Sequence, residues 1–537
     1  MKRTLAALPL LALALLLGGC AAVRQPEQTP APAQETMVEE LTLDNEPAAL
    51  YGGVETDRRV VSLIFEGFSD EESMAQIISL MSSRRVDCVF FVSGVTASEQ
   101  PELVRAISGA GLTVGSYGMT GQKGMEDNSQ ENNLRQFTRA QQVIGEVCGQ
   151  TPSLFRCNGT AYTREVLQAA AAAGLQAGVQ PTAYINHRSF SGEESAVSFV
   201  KRLVRGSVIS VKLGQELDAD EYGYVVSINE MRPMNDPEPS IARAQDDIPR
   251  SIYADLCESL AWLLDALAQE GYQIVSPERL QGEAVTLLGT PRALEPETEA
   301  LLDASSYLFP VTKEALASAA THAGTLDDLD GAVLVGDSIA EGLGGFMQWQ
   351  LAARQEDGGA KAAKEGVGLR FLTSSNLSVE DALARVSKQS AHPVYNGEKM
   401  SVESALREMG AKRIYLMLMC SDARAYEGSG ELTNVKLLLH LIRKSCPDAT
   451  VCVVSYPPNR SSLTRGASNK SIFRYNLKLC RLCQQYGIPF IDAASALRDE
   501  QGRLEQAYCL DAQTYGTHLS RAGCEALLQY LAAHIPN

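Results

Sequence analysis

The sequence predicts an α/β protein built as two successive domains. Two observations carry this reading. Strand-like apolar runs alternate with helix-period segments between residues 60 and 275, and again from 332 to the C-terminus. Such alternation is the pattern of parallel strands joined by helices that cover the sheet. Between the two stretches, residues 286–330 lack a strand pattern and are interrupted by Pro291, Pro296 and Pro310, which reads as a connector. A chain of 537 residues is long enough for two or three domains that each bury a core.

In chain order, Val60-Val61-Ser62-Leu63-Ile64-Phe65 is a strand, residues 70–84 have helix period, and Cys88-Val89-Phe90-Phe91-Val92 is a second strand. A helix at 101–111, a strand at 112–115 and helices at 134–148 and 165–173 follow. A helix at 261–270 and the strand Tyr272-Gln273-Ile274-Val275 close this half. The connector carries one helical piece, 313–322. The second half places strands at 332–335, 414–419, 450–455 and 489–491, with helices at 434–445, 471–486 and 521–534. That order predicts a three-layer α/β domain around a parallel sheet.

The first residues are not expected to join either core. Lys2-Arg3 precede an apolar run from Leu5 to Leu17, of signal-peptide length and short for a membrane span. The run ends in Leu17-Gly18-Gly19-Cys20, similar to a bacterial lipobox, which implies lipidation of Cys20 and an extracytoplasmic protein tethered to a membrane. The plainer alternative is an ordinary signal peptide with an incidental cysteine. Residues 21–55, rich in Pro, Gln and Glu at first, read as a flexible tether. The net charge of −18 argues against nucleic acid as a partner. Eleven cysteines follow Cys20, and Cys480-x-x-Cys483 lies in a helical pattern without a second ligand pair, so buried thiols are expected in place of a metal or redox site.

Residues 58–282 resemble the polysaccharide deacetylase (NodB-like) family. The resemblance rests on Phe90-Phe91-Val92-Ser93-Gly94, Gly111-Leu112-Thr113-Val114-Gly115, Thr151-Pro152-Ser153-Leu154-Phe155-Arg156 and Gly271-Tyr272-Gln273-Ile274-Val275-Ser276. It implies a distorted (β/α)7 barrel. It also implies a metal held by one aspartate and two histidines beside a catalytic aspartate, and here the sequence departs. Ile64-Phe65-Glu66-Gly67 stands where T-F-D-D is expected, so Glu66 takes the base position and Gly67 the metal aspartate's. Ser116-Tyr117-Gly118-Met119-Thr120-Gly121 replaces N-H-[ST]-x-x-H, putting Tyr117 and Gly121 at the histidine positions. Val211-Lys212-Leu213 replaces the late L-H motif, and Arg156 alone of the charged set persists. One carboxylate cannot hold a catalytic metal, so no metal cofactor is expected and a barrel inactive in deacetylation is. A sharper form has the cleft bind glycan uncut, with Tyr117 and Tyr162 stacking on sugars.

In the second half, Ala332-Val333-Leu334-Val335 runs into Gly336-Asp337-Ser338, and Tyr515-Gly516-Thr517-His518-Leu519-Ser520-Arg521-Ala522-Gly523 places its histidine 180 residues after the serine. A strand feeding a tight turn is a common way to present a hydroxyl nucleophile. These motifs resemble the SGNH/GDSL hydrolase family, mostly esterases, which implies Ser338 as nucleophile and His518 as general base. The family's oxyanion asparagine is replaced by Ser421 and its block glycine by Asn376, the tentative oxyanion positions. The aspartate expected three residues before the histidine is Tyr515, and Asp511 can substitute only if its loop folds inward. Losing one oxyanion donor costs about 2.7–4 kcal/mol. Losing the orienting aspartate costs about 10⁴ in rate in serine proteases.

The sequence therefore leads to a cell-envelope lipoprotein with an inactive deacetylase-like barrel at 56–285, a connector at 286–330 and an SGNH-type esterase domain at 331–537. The expected substrate is an O-acetyl or similar ester on envelope polysaccharide. The competing reading is a doubly degenerate glycan-binding or scaffolding protein.

Overall fold

The computed structural model describes residues 43–213, 256–296, 299, 316, 320–356, 368–421, 432–460 and 467–537. The expected leader, Cys20 and most of the expected tether, 21–55, lie outside them, but its last residues are no tether: Ala48 is buried and Ala49–Tyr51 pairs with Ala177–Val179 in the first sheet. The described residues belong to one compact unit. They carry two parallel sheets, each covered by helices.

The first sheet contains β1 Ala49–Tyr51, β2 Val60–Gly67, β3 Cys88–Val92, β4 Thr113–Ser116, β5 Leu154–Phe155, β6 Ala177–Val179, β7 Ala183–Ile185 and β8 Val208–Leu213. Their order is β1-β6-β5-β4-β3-β2-β8-β7, every ladder is parallel, and β9 Gln273–Ile274 adds to β2. Among the described residues no ladder joins β7 back to β1, so the barrel is distorted and open. Strand β2 is buried along nearly its whole length, as a central parallel strand covered on both faces must be, and Phe65 stacks on Phe90 of β3 with centroids 4.2 Å apart. Helix Glu71–Ser83 starts where Asp70 accepts a hydrogen bond from the Ser73 amide at 2.9 Å.

Two features differ from expectation for physical reasons. Helix Gln130–Cys148 begins four residues earlier than its apolar periodicity, because Ser129 caps a polar first turn, Gln130-Glu131-Asn132-Asn133. Strands β5 to β7 are two or three residues long and too short to show a period.

The second sheet contains β11 Val333–Gly336, β12 Arg370–Thr373, β15 Arg413–Met417, β16 Thr450–Val454 and β17 Phe490–Ile491, in the order β12-β11-β15-β16-β17, all parallel. Side chains alternate between two cores. Val333, Val335, Leu416 and Val453 pack on one face with helices Val402–Glu408, Thr433–Ser445 and Asn469–Gln485. Leu334, Tyr415, Met417 and Cys452 pack on the other with helices Ser338–Glu356 and Arg521–Ala532. This is the three-layer arrangement. Two smaller ladders remain, β13 Val394–Tyr395 with β14 Glu398–Lys399, and β10 Thr321–His322 with β18 Ile535–Pro536. Most of the helical piece expected at 313–322 lies outside the described residues, and its last two residues are β10, a strand. Cys480 and Cys483 are buried in the core, and burial pushes the Cys480 thiol up to about 12.

Strand β11, first in this sheet, lies between the second and third, β12 and β15. The chain leaves it in opposite directions on its two sides. That switch point, at the C-terminal strand ends, is where open α/β sheets form a crevice. Asp337 and then Ser338 follow β11.

Candidate active site

Ser338 is the first residue of helix Ser338–Glu356. Asp337 caps that helix, its carbonyl accepting from the Glu341 amide at 2.9 Å and its carboxyl from the Ile339 amide at 3.0 Å. Tyr456, which the sequence did not single out, donates its hydroxyl to Asp337 at 2.6 Å. Burial pushes the Asp337 carboxyl up, against these hydrogen bonds. The cap fixes the backbone that carries Ser338.

His518, 180 residues later, meets Ser338 with 3.2 Å between Nε2 and Oγ. The other ring nitrogen, Nδ1, lies 2.7 Å from Asp511 Oδ2, and the His518 amide donates to Asp511 Oδ1 at 3.0 Å. A carboxylate accepts only, so Nδ1 carries the proton, and Nε2 is left to accept from the serine hydroxyl. Burial pushes the Asp511 carboxyl up, but the hydrogen bonds from the His518 ring and backbone outweigh it, and its net shift is downward.

Asp511 reaches the histidine because its loop folds inward. An antiparallel bridge, Cys509 with Leu519, closes the loop at its base, and the Leu510 amide donates to the His518 carbonyl at 2.8 Å. Within it, the Thr514 and Gly516 amides both donate to the Asp511 carbonyl. Gly516 turns the chain at φ 67°, where glycine is favoured, and its carbonyl accepts from the Arg460 amide. Tyr515, three residues before His518, is thrown outward and is 66% exposed, its ring edge-on to the His518 ring at 6.4 Å.

Asn376 and Ser421, expected at the oxyanion positions, lie at the same end of the sheet. Asn376 is exposed, in the turn after β12 closed by the Leu377 amide on the Ser374 carbonyl. Ser421 follows β15, and its amide and hydroxyl both donate to Glu380 Oε2, at 2.7 and 2.9 Å. Its hydroxyl proton is thereby directed at a carboxylate and away from a substrate oxygen. Glu380, 2% exposed in helix Val379–Leu383, carried no signal in the sequence, since an acidic residue in a first turn is ordinary.

In the barrel, Glu66, Tyr117, Arg156 and Lys212 come together with Ser210, which the sequence did not flag. Glu66 is fully buried. Its Oε1 takes Arg156 Nε at 3.1 Å and the Ser210 hydroxyl at 2.5 Å, and its Oε2 takes Lys212 Nζ and the Tyr117 hydroxyl, at 3.0 and 2.9 Å. Burial pushes the Glu66 carboxyl up, and the charges of Arg156 and Lys212 with these hydrogen bonds outweigh it, bringing it down to about 2. The Tyr117 ring is buried and is not presented as a platform for sugars, while Tyr162 is half-buried, its hydroxyl accepting from the Cys157 amide and donating to the Val179 carbonyl.

This donor set does not fit a divalent metal. Glu66 is saturated, Gly67 and Gly121 offer no ligand, and two cations stand where a dication would be repelled. Gly67 ends β2 at φ 81°, a left-handed conformation unfavourable for a side chain at that position. The carboxyl's low value has a consequence. Protonating Glu66 leaves two buried cations without their carboxylate, so stability from this cluster is full above 4.5 and is lost as the pH falls toward about 2. Melting midpoints measured between pH 5 and 2 are expected to fall more steeply for the native protein than for Glu66→Gln.

The polysaccharide deacetylase family model matches residues 53–178, and the GDSL-like lipase/acylhydrolase family model matches 334–526. Among solved structures, a CE4 family pseudoenzyme from Bacillus anthracis is similar at 14% identity, covering 45% of this chain and 72% of its own, with a TM-score of 0.33. PdaA of Bacillus subtilis, a family 4 carbohydrate esterase, is similar at 14% identity over 45% of this chain and 94% of its own, TM-score 0.32. A family 4 carbohydrate esterase from Streptomyces lividans is similar at 22% identity over 43% and 98%, TM-score 0.30. The two family matches fall on the two sheets, and together they suggest a carbohydrate-esterase type of function.

Proposed function

We propose that this protein is an extracytoplasmic serine esterase, anchored to a bacterial membrane by lipid on Cys20, that removes O-acetyl or similar ester groups from envelope polysaccharide. The observation that carries the reading is the hydrogen-bonded chain Ser338–His518–Asp511 at the switch point of the sheet. The polysaccharide assignment is supported by the deacetylase-like half of the chain. In that half the barrel is silent in deacetylation, because its residues cannot assemble a metal site.

Each residue has a definite task. As the Ser338 oxygen attacks the ester carbonyl, its proton passes to His518 Nε2, and Asp511 stabilises the imidazolium through Nδ1. The carbonyl oxygen becomes an oxyanion. The Ser338 amide, in the first turn of helix Ser338–Glu356, supplies one donor, aided by the positive end of the helix. His518 then returns the proton to the leaving alcohol oxygen as the carbon–oxygen bond breaks. Water, deprotonated by His518 in turn, cleaves the acyl-serine and releases the acid.

The competing reading, a binding or scaffolding protein, is favoured by one observation, the engagement of Ser421 with Glu380 in place of a free oxyanion donor. Hydrolysis of p-nitrophenyl acetate by the purified protein decides between them. The esterase reading expects hydrolysis lost in Ser338→Ala and unchanged in EDTA. Equal rates for native protein and Ser338→Ala sink it.

A further inference from the structure

We propose that the barrel is a positioning domain for the esterase site, and that Arg59 and Arg205 exert this role through helix Val379–Leu383. The inference rests on the esterase reading above and gives the silent barrel a task within it.

The helix is five residues long and cannot persist on its own, so what holds its ends determines where its side chains sit. Its N-terminal end is tied into the esterase. Ser378 and Asp381 form a capping box, and the Val379 amide donates to the Met419 carbonyl at 3.0 Å. Just upstream, the Ser374 amide donates to the carbonyl of Gly336, two residues before the nucleophile, at 3.3 Å. From the helix itself Glu380 grips Ser421 by amide and hydroxyl. This one short segment therefore sets both walls beside Ser338, the turn bearing Asn376 and the strand end bearing Ser421.

The C-terminal end of the helix is held from the barrel. The Leu383 carbonyl, one of the orphan acceptors at a helix end, takes Arg59 Nη2 at 2.6 Å and Arg205 Nη2 at 3.2 Å. Arg205 is itself fixed to the Asp57 carbonyl at 2.7 Å, before β2, and is buried. Glu270, buried directly after helix Leu256–Gln269, pairs with Arg59 and accepts the Arg385 amide at 2.7 Å. Two guanidinium groups on one carbonyl repel each other, so the arrangement holds only while Glu270 and the helix end are docked. A connection of roughly 7.5 Å, the length of five helical residues, then carries barrel position to Ser421.

The test uses the full-length protein with Arg205→Ala, Arg59→Ala and the conservative Arg205→Lys. Two readouts are taken, p-nitrophenyl acetate kinetics and hydrogen exchange of residues 374–383 and 419–421. Arg205→Ala and Arg59→Ala are expected to lower kcat by about ten- to a hundredfold with little change in KM, since misplacement near 1 Å costs up to about a hundredfold. The same variants are expected to speed exchange at those two segments, with Arg205→Lys restoring part of both. If exchange and kcat are those of the native protein in any folded arginine-to-alanine variant, the proposal is overturned. If an alanine variant fails to fold, Arg205→Lys decides, because native kinetics and exchange there, with one fork bond removed, also overturn it. If the native protein shows no Ser338-dependent hydrolysis, the esterase reading fails by itself, and the exchange data still judge the clamp.

Discussion

Asp511→Asn is expected, on the proposed esterase reading, to lower kcat for ester hydrolysis by about 10⁴, or about 5 kcal/mol of barrier, with the fold intact. The physical reason is the tautomer. An asparagine at this position turns an NH2 donor toward His518 Nδ1, so the ring protonates on Nε2 and loses the lone pair that accepts from Ser338. The contact being broken is short, 2.7 Å, and is doubled by the His518 amide on the same carboxylate. Tyr515→Phe in the same assay is expected to leave kcat unchanged, because that side chain is exposed and its hydroxyl has no part in orienting the imidazole. Steady-state kinetics of the two variants locate the orienting acid. An activity loss on Tyr515→Phe comparable to that on Asp511→Asn would mean the loop is arranged differently.

Glu66→Gln produces the largest stability loss expected in the barrel, about 3–5 kcal/mol, read as a fall in the melting midpoint of the barrel transition. Two cations, Arg156 and Lys212, share this one carboxylate at 0–5% exposure. Removing the carboxylate leaves both buried beside each other. Lys212→Met removes one of the cations and leaves the Glu66–Arg156 pair in place, so its loss is the smaller of the two. A midpoint that drops more for Lys212→Met than for Glu66→Gln would contradict this charge balance.

The long elements were legible because their periodicity is strong. Strand β2 and helix Asn469–Gln485 are examples, one a continuous apolar run and the other a clear amphipathic stripe. Short strands such as β5 carry too few residues for any period, and they form because neighbouring strands template them. The candidate site divides in the same way. Ser338 and His518 stand in local motifs, whereas Asp511 joins them through a loop closed by the Cys509–Leu519 bridge, which motif spacing cannot express. Tyr456 and Glu380 reach the site from other strand ends and helices, so nothing near Ser338 in sequence announces them. In the barrel, the lack of a metal-ligating side chain at Gly67 and Gly121 was visible in the sequence. The consequence, a carboxylate gripped by Lys212 and Arg156, required the parallel register of β2 with β8, which sets Glu66 beside Lys212.

The full-length protein incubated with a fluorophosphonate probe, with peptide mass mapping of the adduct, examines the nucleophile itself. A serine whose hydroxyl donates to His518 Nε2 is expected to be labelled at Ser338, with labelling absent in Ser338→Ala and sharply slowed in Asp511→Asn. A folded native protein that takes up no probe at Ser338 would contradict the esterase, whatever the geometry of the three side chains.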